Sequence, residues 1–385
     1  MGRRWSKVEV ASKTVKITIV GGGNAGCLTA LHYAYYTSHR DDIEIELIYD
    51  PTISPERVGQ ASVLATPCLL WEALDFDWYN NKLDAVFKSG ILYENWGKIN
   101  KEVFHPFPAD RMAMHFEPKK LQEVILNSGM FKVSEDNIDV VDDIDSDFIF
   151  DCKGKPKELD DYEELPNPVN SAILGVGKTV DADMHWTRAV ATPDGWCFII
   201  PNKNKPSSYG YIYNRNITSK EKATENFHTL FDIESNHNLN FRNYLAKNPV
   251  RDNRIIKNGN ALFFLEPLES QAVEAYATWN KITFDMIVLK ARSIEDGCEH
   301  IKRYTRETAN YILWHYKNGS AYDTPFWDYA KTLQIVDPKF DKMVKMASST
   351  NAHPWQMQAF DKQDEVGYGQ WSVWNFKNWI KGVAA

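Results

Sequence analysis

The sequence predicts an α/β protein: a Rossmann-like dinucleotide-binding domain, an interleaved antiparallel-sheet layer and a helical C-terminal region. Three observations carry this. A β-branched run ends in a glycine loop that opens a helix, and a second β-rich run follows it. Aromatic strand-like runs separated by Asn, Lys, Pro and Ser fill the middle of the chain, and from about residue 283 apolar residues recur at three- and four-residue spacing. No Pro/Gly linker marks a separable unit, so the lobes of this 385-residue chain should interleave. We expect a nucleotide domain over 14–280, with the β layer inserted at about 85–125 and 155–250, and a mainly helical covering region over 281–385.

In chain order, KITIV (16–20) reads as a strand, and the stretch Ala25–Tyr36 has helical apolar spacing. Between them GGGNAG places Gly21, Gly23 and Gly26 as Gly-x-Gly-x-x-Gly, in the strand-to-helix context the motif requires. The first glycine permits the tight turn, the second lets backbone N–H groups approach a pyrophosphate, and the third allows close helix–strand packing. Asn24 and Ala25 open the helix, whose N-terminal dipole favours phosphate. A glycine-rich turn without a ligand is the plainer reading of the same residues. IEIELIY (43–49) then completes a βαβ unit, and Asp50 at its end is the candidate ribose ligand.

The acidic run DVVDDIDSD (139–147) has aspartates spaced as in a calcium loop, but Phe148 and Gly154 stand where glycine and glutamate are needed, so it reads as a solvated turn and no metal is expected. FIFD (148–151) reads as a late strand returning to the cofactor cleft. This favours FAD over NAD, with Asp151 either touching the cofactor or merely capping a turn. WCFIIP and YGYIYN supply the antiparallel layer, and FDMIVLKARSIEDGCEHIKRYTRETANYILWHY reads as helix with Gly297 in its middle and NGS closing it.

Composition narrows the partners. Charge is −8, from 44 basic and 52 acidic residues, which argues against nucleic acid. No apolar run approaches the length of a spanning helix, so no membrane partner is expected. Five widely spaced cysteines without a CxxC read as buried, reduced thiols of a cytoplasmic protein. MGRRWS lacks the apolar core of a signal peptide and only formally fits an acylation pattern. Aromatic residues, at 13% with 13 Trp, point to an aromatic core or to a grip on a flat ligand.

Further segments, in order, resemble the flavin-dependent halogenase family typified by the tryptophan halogenases, and in particular its short, viral-type members. PTISPERVGQAS (51–62) resembles the family loop ending Val-Gly-Glu-Ala-Thr, with Gln60 and Ser62 substituted, and the family's strand-end acid falls on Tyr49, beside Asp50. AVFKSGILYENW (85–96) places Lys88 on the catalytic lysine, a residue that would otherwise read as a solvated strand-end charge. His105-Pro106-Phe107 resembles the substrate-lining His-Pro-Phe, and AMHFEPKKLQEVI (113–125) the strand and helix after it.

The family's Trp-x-Trp-x-Ile-Pro becomes Trp196, Phe198, Ile200 and Pro201, with one aromatic exchanged for another, although a Trp/Phe/Ile strand is also an ordinary core strand. LEPLES (265–270) matches the segment where flavin, halide and carboxylate converge, putting Leu265 at the cofactor, Glu269 on the active-site glutamate and Ser270 beside it. Gln271-Ala272 replaces the family's Thr-Gly at the halide amides. YILWHYKNGSAYDTPFWDYA (311–330) resembles the end of the family's long helix.

The resemblance implies an enzyme in which reduced FAD from a separate flavin reductase, with O2, oxidises chloride, bromide or iodide to hypohalous acid. A lysine then delivers halogen to an electron-rich aromatic small molecule. A shortened tail implies that free tryptophan is poorly clamped, with Phe107 and the tail residues Trp355, Trp371, Trp374 and Trp379 lining either cleft or core. The chain is compatible with a homo-oligomer. A flavin-dependent aromatic monooxygenase and a redox-inert FAD-fold escort protein are the competing readings, separated by direct NADH oxidation and by FAD titration respectively.

Overall fold

The computed structural model describes residues 14–55, 60–62, 65–79, 81–107, 113–177, 184–203, 205–349 and 367–384. The N-terminal MGRRWS, residues 56–59 of the loop after the second strand, and Trp355 lie outside the described residues.

The nucleotide sheet forms where the β-branched runs were read. Val15–Val20 pairs in parallel with Ile43–Tyr49 on one side and with Phe148–Asp151 on the other. The sheet order is Val250–Arg251, Ile255–Lys257, Phe148–Asp151, Val15–Val20, Ile43–Tyr49, Lys132–Glu135. Strands buried on both faces read as continuous apolar runs, as Ile17, Ile19, Ile149 and Phe150 do here. The helix Asn24–Tyr36 lies across this sheet, buried along almost its whole length by the helices Pro118–Leu126 and Gln271–Ile287. Tyr33 Oη donates to Thr283 Oγ1 at 2.9 Å, tying the first and last of these helices together.

The second layer is a seven-stranded sheet in the order Ser235–Asn240, Ser171–Val176, Lys205–Tyr213, Gly195–Asn202, Thr187–Thr192, Gly90–Glu94, Glu102–Pro106. It is antiparallel except where Thr187–Val190 runs parallel to Ile91–Glu94. Along Gly195–Asn202 the side chains alternate: Trp196, Phe198 and Ile200 face the main core, while Cys197 and Ile199 pack with Tyr211 and Phe227 on the other face. A small sheet of Gln60–Ala61, Ala113–Phe116 and Val86–Lys88 bridges the two layers.

The helical region corrects the sequence reading in two places. Helix Gln271–Ile287 starts ahead of residue 281 and crosses that boundary, and the long apolar pattern is broken between Val288 and Ser293. Lys290 turns the chain with φ of +56°, and Ser293 Oγ caps the next helix, Ile294–Lys317, by accepting from Asp296 N–H at 3.0 Å. Gly297 is no break. It lies inside the second helix, where a Cβ would come 2.1 Å from Met286 Sδ, so glycine is what lets the two helices touch. Of the tail, helix Val373–Trp379 returns against the strand Glu102–Pro106. Of the cysteines, all five are free, and Cys68 is exposed, not buried as expected.

Candidate active site

The glycine loop builds a cradle. Gly21 has φ of +118°, and a Cβ there would lie 2.4 Å from the Cys152 carbonyl oxygen. A Cβ on Gly26 would lie 1.9 Å from the Gly21 carbonyl oxygen, whereas Gly23 faces open space. That open space is a cavity of about 900 Å³, bordered by Gly21 to Ala25 at one end and by Phe263 to Leu265 and Ser270 to Val273 at the other. The N-terminus of helix Asn24–Tyr36 opens into it, where its unpaired N–H groups and dipole suit a phosphate.

Asp50 lines it, with Oδ1 accepting from Thr52 N–H at 2.8 Å and Thr52 Oγ1 at 2.6 Å, which holds the carboxyl below its usual range. Tyr49 lines it too, its hydroxyl donating to Glu135. Asp151 does not border it: its Oδ1 accepts from Lys153 N–H at 3.2 Å, so it caps the turn, and Cys152, Lys153 and Gly154 take the lining positions. Phe198 and Ile200 border the cavity, Pro201 is buried at the strand's end, and Trp196 lies deeper in the core.

At the far end LEPLES turns. Ser270, with φ of +55°, precedes helix Gln271–Ile287, and this sharp turn puts Ser270, Gln271 and Ala272 on the cavity wall. The first N–H groups of that helix have no intrahelical partner. Gln271 Nε2 donates to the Glu269 carbonyl at 2.9 Å, and its Oε1 has no partner among the described residues. Behind the wall sits Lys88, fully buried, its Nζ donating to Ser270 Oγ at 3.0 Å and to the Ser62 carbonyl at 3.3 Å, and 5.1 Å from the centre of the Phe107 ring. Burial pushes the Lys88 ammonium down to about 7, against the opposing pull of Glu269. The solvated charge that local sequence suggests is therefore an amine able to stand neutral near pH 7.

Glu269 is 3% exposed and receives Tyr93 Oη at 2.5 Å. His315 Nε2 lies 2.8 Å from Glu269 Oε1, a charge contact not aligned as a linear hydrogen bond. His315 Nδ1 lies 2.8 Å from the Tyr311 carbonyl, which can only accept, so Nδ1 carries a proton. Burial raises the Glu269 carboxyl, but His315, His105 and Tyr93 together outweigh it and leave the group below its usual range. Three residues away, Glu266 takes Tyr316 Oη at 2.9 Å and is raised to about 8 by burial, so it stays neutral at pH 7 and adds no second charge beside Glu269.

Lys88 thus meets LEPLES from 182 positions away in the sequence. His105 is buried and below its usual range through burial, with Nε2 2.6 Å from Asn375 Nδ2. The tail tryptophans divide: Trp371 stacks on Tyr311 at 4.1 Å in the core, Trp379 packs on His315 at 4.2 Å, and Trp374 is half-buried 5.9 Å from His105. Sequence reasoning missed Tyr93, His315 and Asn375 as site residues. Both Tyr93 and His315 stood in quoted motifs, but nothing local marks either as a partner of Glu269. Among the described residues no cluster of His, Cys, Asp and Glu could hold a metal, and no helix is long and apolar enough to cross a membrane.

A glycine-cradled cavity with a buried lysine and glutamate behind its far wall is the arrangement of a nucleotide-dependent enzyme. The chain belongs to the tryptophan halogenase family, whose model matches residues 16–131 and 142–385. As such it is a flavin-dependent halogenase, acting with reduced FAD from a separate reductase, halide and O2 on an aromatic substrate. It is 23% identical to a 7-chloro-L-tryptophan 6-halogenase from Kutzneria sp. (strain 744), the alignment covering 83% of each chain. It is 22% identical to the tryptophan 6-halogenase SttH of Streptomyces toxytricini, over 88% of this chain and 86% of that one. A 171-residue stretch is 28% identical to the tryptophan 6-halogenase ThaL of Streptomyces albogriseolus, covering 41% of this chain and 31% of that protein. In structure it resembles the lanthipeptide tryptophan 5-halogenase MibH (TM-score 0.81, 17% identity, 98% of this chain and 87% of that one). It also resembles a flavin-dependent halogenase from Xanthomonas campestris (TM-score 0.75, 17% identity, 96% and 94%).

Proposed function

We propose that the protein halogenates an electron-rich aromatic small molecule through Lys88, with Glu269 as the proton acceptor. The observation that supports this best is the buried Lys88 amine, near neutrality at pH 7, bonded to Ser270 on the cavity wall beside Glu269. Gly21, Gly23, Gly26, Asn24, Ala25 and Leu265 would hold FAD, with Asp50 at the ribose. Bound reduced flavin supplies, with O2, the oxidising power that converts halide to hypohalous acid.

The halide's place is the start of helix Gln271–Ile287, where the backbone N–H groups of Gln271 and Ala272 and the helix dipole favour an anion, with Ser270 Oγ alongside. These amides survive the exchange of Thr-Gly for Gln-Ala, while the added Gln271 side chain narrows the approach; chloride, bromide and iodide remain candidate halides. Neutral Lys88 can take X⁺ from HOX, releasing water and leaving an N–X bond, or hold HOX by a hydrogen bond; either route ends the free diffusion of the oxidant. The arene attacks the halogen and becomes a cation as the N–X or O–X bond breaks, its electron pair staying on the Lys88 nitrogen or on hydroxide, which takes up a proton to give back the amine or water. Glu269, held by Tyr93 and His315, stabilises that cation and removes the ring proton. His105 and Phe107 line the substrate position. Phe198 and Ile200 on the cavity wall, with Trp196 and Pro201 behind them, shape it without taking part in proton transfer.

The test is mass spectrometry of an aromatic panel incubated with the protein, reduced FAD, air and bromide. A product with bromine's isotope doublet, absent with Lys88→Ala while FAD still binds, is expected. Full bromination by Lys88→Ala would overturn the role of Lys88, and a mass gain of one oxygen would favour the monooxygenase reading.

A further inference from the structure

Asn375 is the third residue of helix Val373–Trp379, and its amide can stand in only one orientation. The backbone N–H of Ser372 donates to Asn375 Oδ1 at 2.8 Å, and the Ser372 hydroxyl donates to the same oxygen at 3.0 Å. A backbone N–H cannot accept, so the carbonyl side of the amide faces Ser372 and the NH2 side faces His105 Nε2, 2.6 Å away. An amide NH2 can only donate. His105 Nε2 must therefore present its lone pair, and the ring's single proton sits on Nδ1.

We propose that Asn375 locks His105 as the neutral Nδ1–H tautomer, so that His105 offers the Lys88–Glu269 site a donor and never an acceptor. The substrate class this fits is a phenol, or an arene with a comparable oxygen acceptor beside the carbon halogenated, in preference to an indole or hydrocarbon lacking one. The substrate part rests on the halogenase reading above; the tautomer does not.

The placement supports the role. His105 and Phe107 are two apart on one extended segment and so share a face, and the Phe107 ring is the one lying 5.1 Å from Lys88 Nζ. His105 is 3% exposed, so a donor on its Nδ1 has little access to water. The charges facing it come from three other elements: Glu269, which favours an imidazolium, and His315 and Lys88, which oppose it. An imidazolium would set a ring N–H against the amide N–H at 2.6 Å, so Asn375 decides the matter for the neutral form. A pocket that presents a buried donor rejects a ligand unable to accept, because the donor is then left dry and unpaired.

Protein labelled with ¹⁵N-histidine, free of flavin, is examined by long-range ¹H–¹⁵N correlation, with His105→Gln assigning the signal. Wild type should show protonated Nδ1 and bare Nε2, unchanged between about pH 5.5 and 8. Asn375→Asp replaces the donor with a carboxylate, so His105 should gain a proton on Nε2 and titrate within that range. In parallel, tryptophan-fluorescence titrations compare 2-naphthol with 2-methylnaphthalene. Wild type should prefer the naphthol by about five- to tenfold, and Asn375→Leu should lose that preference while keeping its affinity for the hydrocarbon.

Protonated Nε2 in the wild type overturns the tautomer assignment, and equal affinity for the two probes overturns the substrate class. Both deciding measurements use wild type, so a variant that fails to fold does not rescue the proposal. A protein that passes both yet brominates nothing would refute the halogenase reading alone.

Discussion

Replacing Lys88 by Met should make the protein more stable, and by an amount that depends on pH. Burial takes the Lys88 ammonium from its ordinary 10.5 down to about 7. At about 1.4 kcal/mol per pH unit, that gap means the folded state holds the charged form at a cost of about 5 kcal/mol. The unfolded chain binds the extra proton between pH 7 and 10.5, so wild-type stability rises with pH across that window, and Met has no such dependence. At pH 6 nearly the whole cost is present, and at pH 9 about 2 kcal/mol remains, so the gain from Lys88→Met should shrink by about 2.5 kcal/mol between these pH values. Lost hydrogen bonds to Ser270 and Ser62 reduce the gain at both pH values alike. Urea unfolding at pH 6 and pH 9 gives the difference directly. A pH-independent effect would show that Lys88 is charged and solvated in the folded protein, and the neutral-amine argument would fall with it. The same neutral amine predicts that halogenation by wild type rises as pH passes through about 7.

Glu269→Gln should lower halogenation by about 10²–10⁴ with FAD affinity unchanged in a spectral titration; an equal loss of FAD binding would place the residue in the cofactor site. His315→Gln should let the Glu269 carboxyl rise, because His315 is the leading influence holding it down; the acid limb of the pH–rate profile should then move to higher pH, and an unmoved limb would break that link. Gly23→Ala should fold like wild type, since nothing lies within 4 Å of the added carbon, yet lose FAD. Gly26→Ala should lose stability even without FAD, its carbon lying 1.9 Å from the Gly21 carbonyl; melting curves of the flavin-free variants separate the two.

How much of this was legible in the sequence depends on how far apart the interacting residues lie. GGGNAG could be read because one short word fixes turn, helix start and phosphate cradle, all through contacts within a few residues or with the neighbouring strand. The same locality misled at Val288–Ser293: Ile287, Val288, Leu289 and Ala291 keep the apolar pattern going without Gly or Pro, and only tertiary packing turns the chain at Lys290. Lys88 shows the stronger limit. Its neighbours describe a strand end, where a lysine is ordinarily solvated, and its chemistry comes from Ser62, Phe107 and Ser270 closing over it. The resemblance to a family flagged Lys88 and Glu269, yet it could not say what tunes them. Tyr93 reaches Glu269 from 176 positions away, and both Tyr93 and His315 belong to residue types that fill aromatic cores throughout this chain. What distinguishes them is where folding puts their polar atoms: Tyr93 donates its hydroxyl to Glu269, and His315, with Nδ1 committed to the Tyr311 carbonyl, sets Nε2 against the same carboxylate oxygen. That bookkeeping of donors and acceptors exists only once the chain is folded, so the site's acid–base character had to be read from the structure.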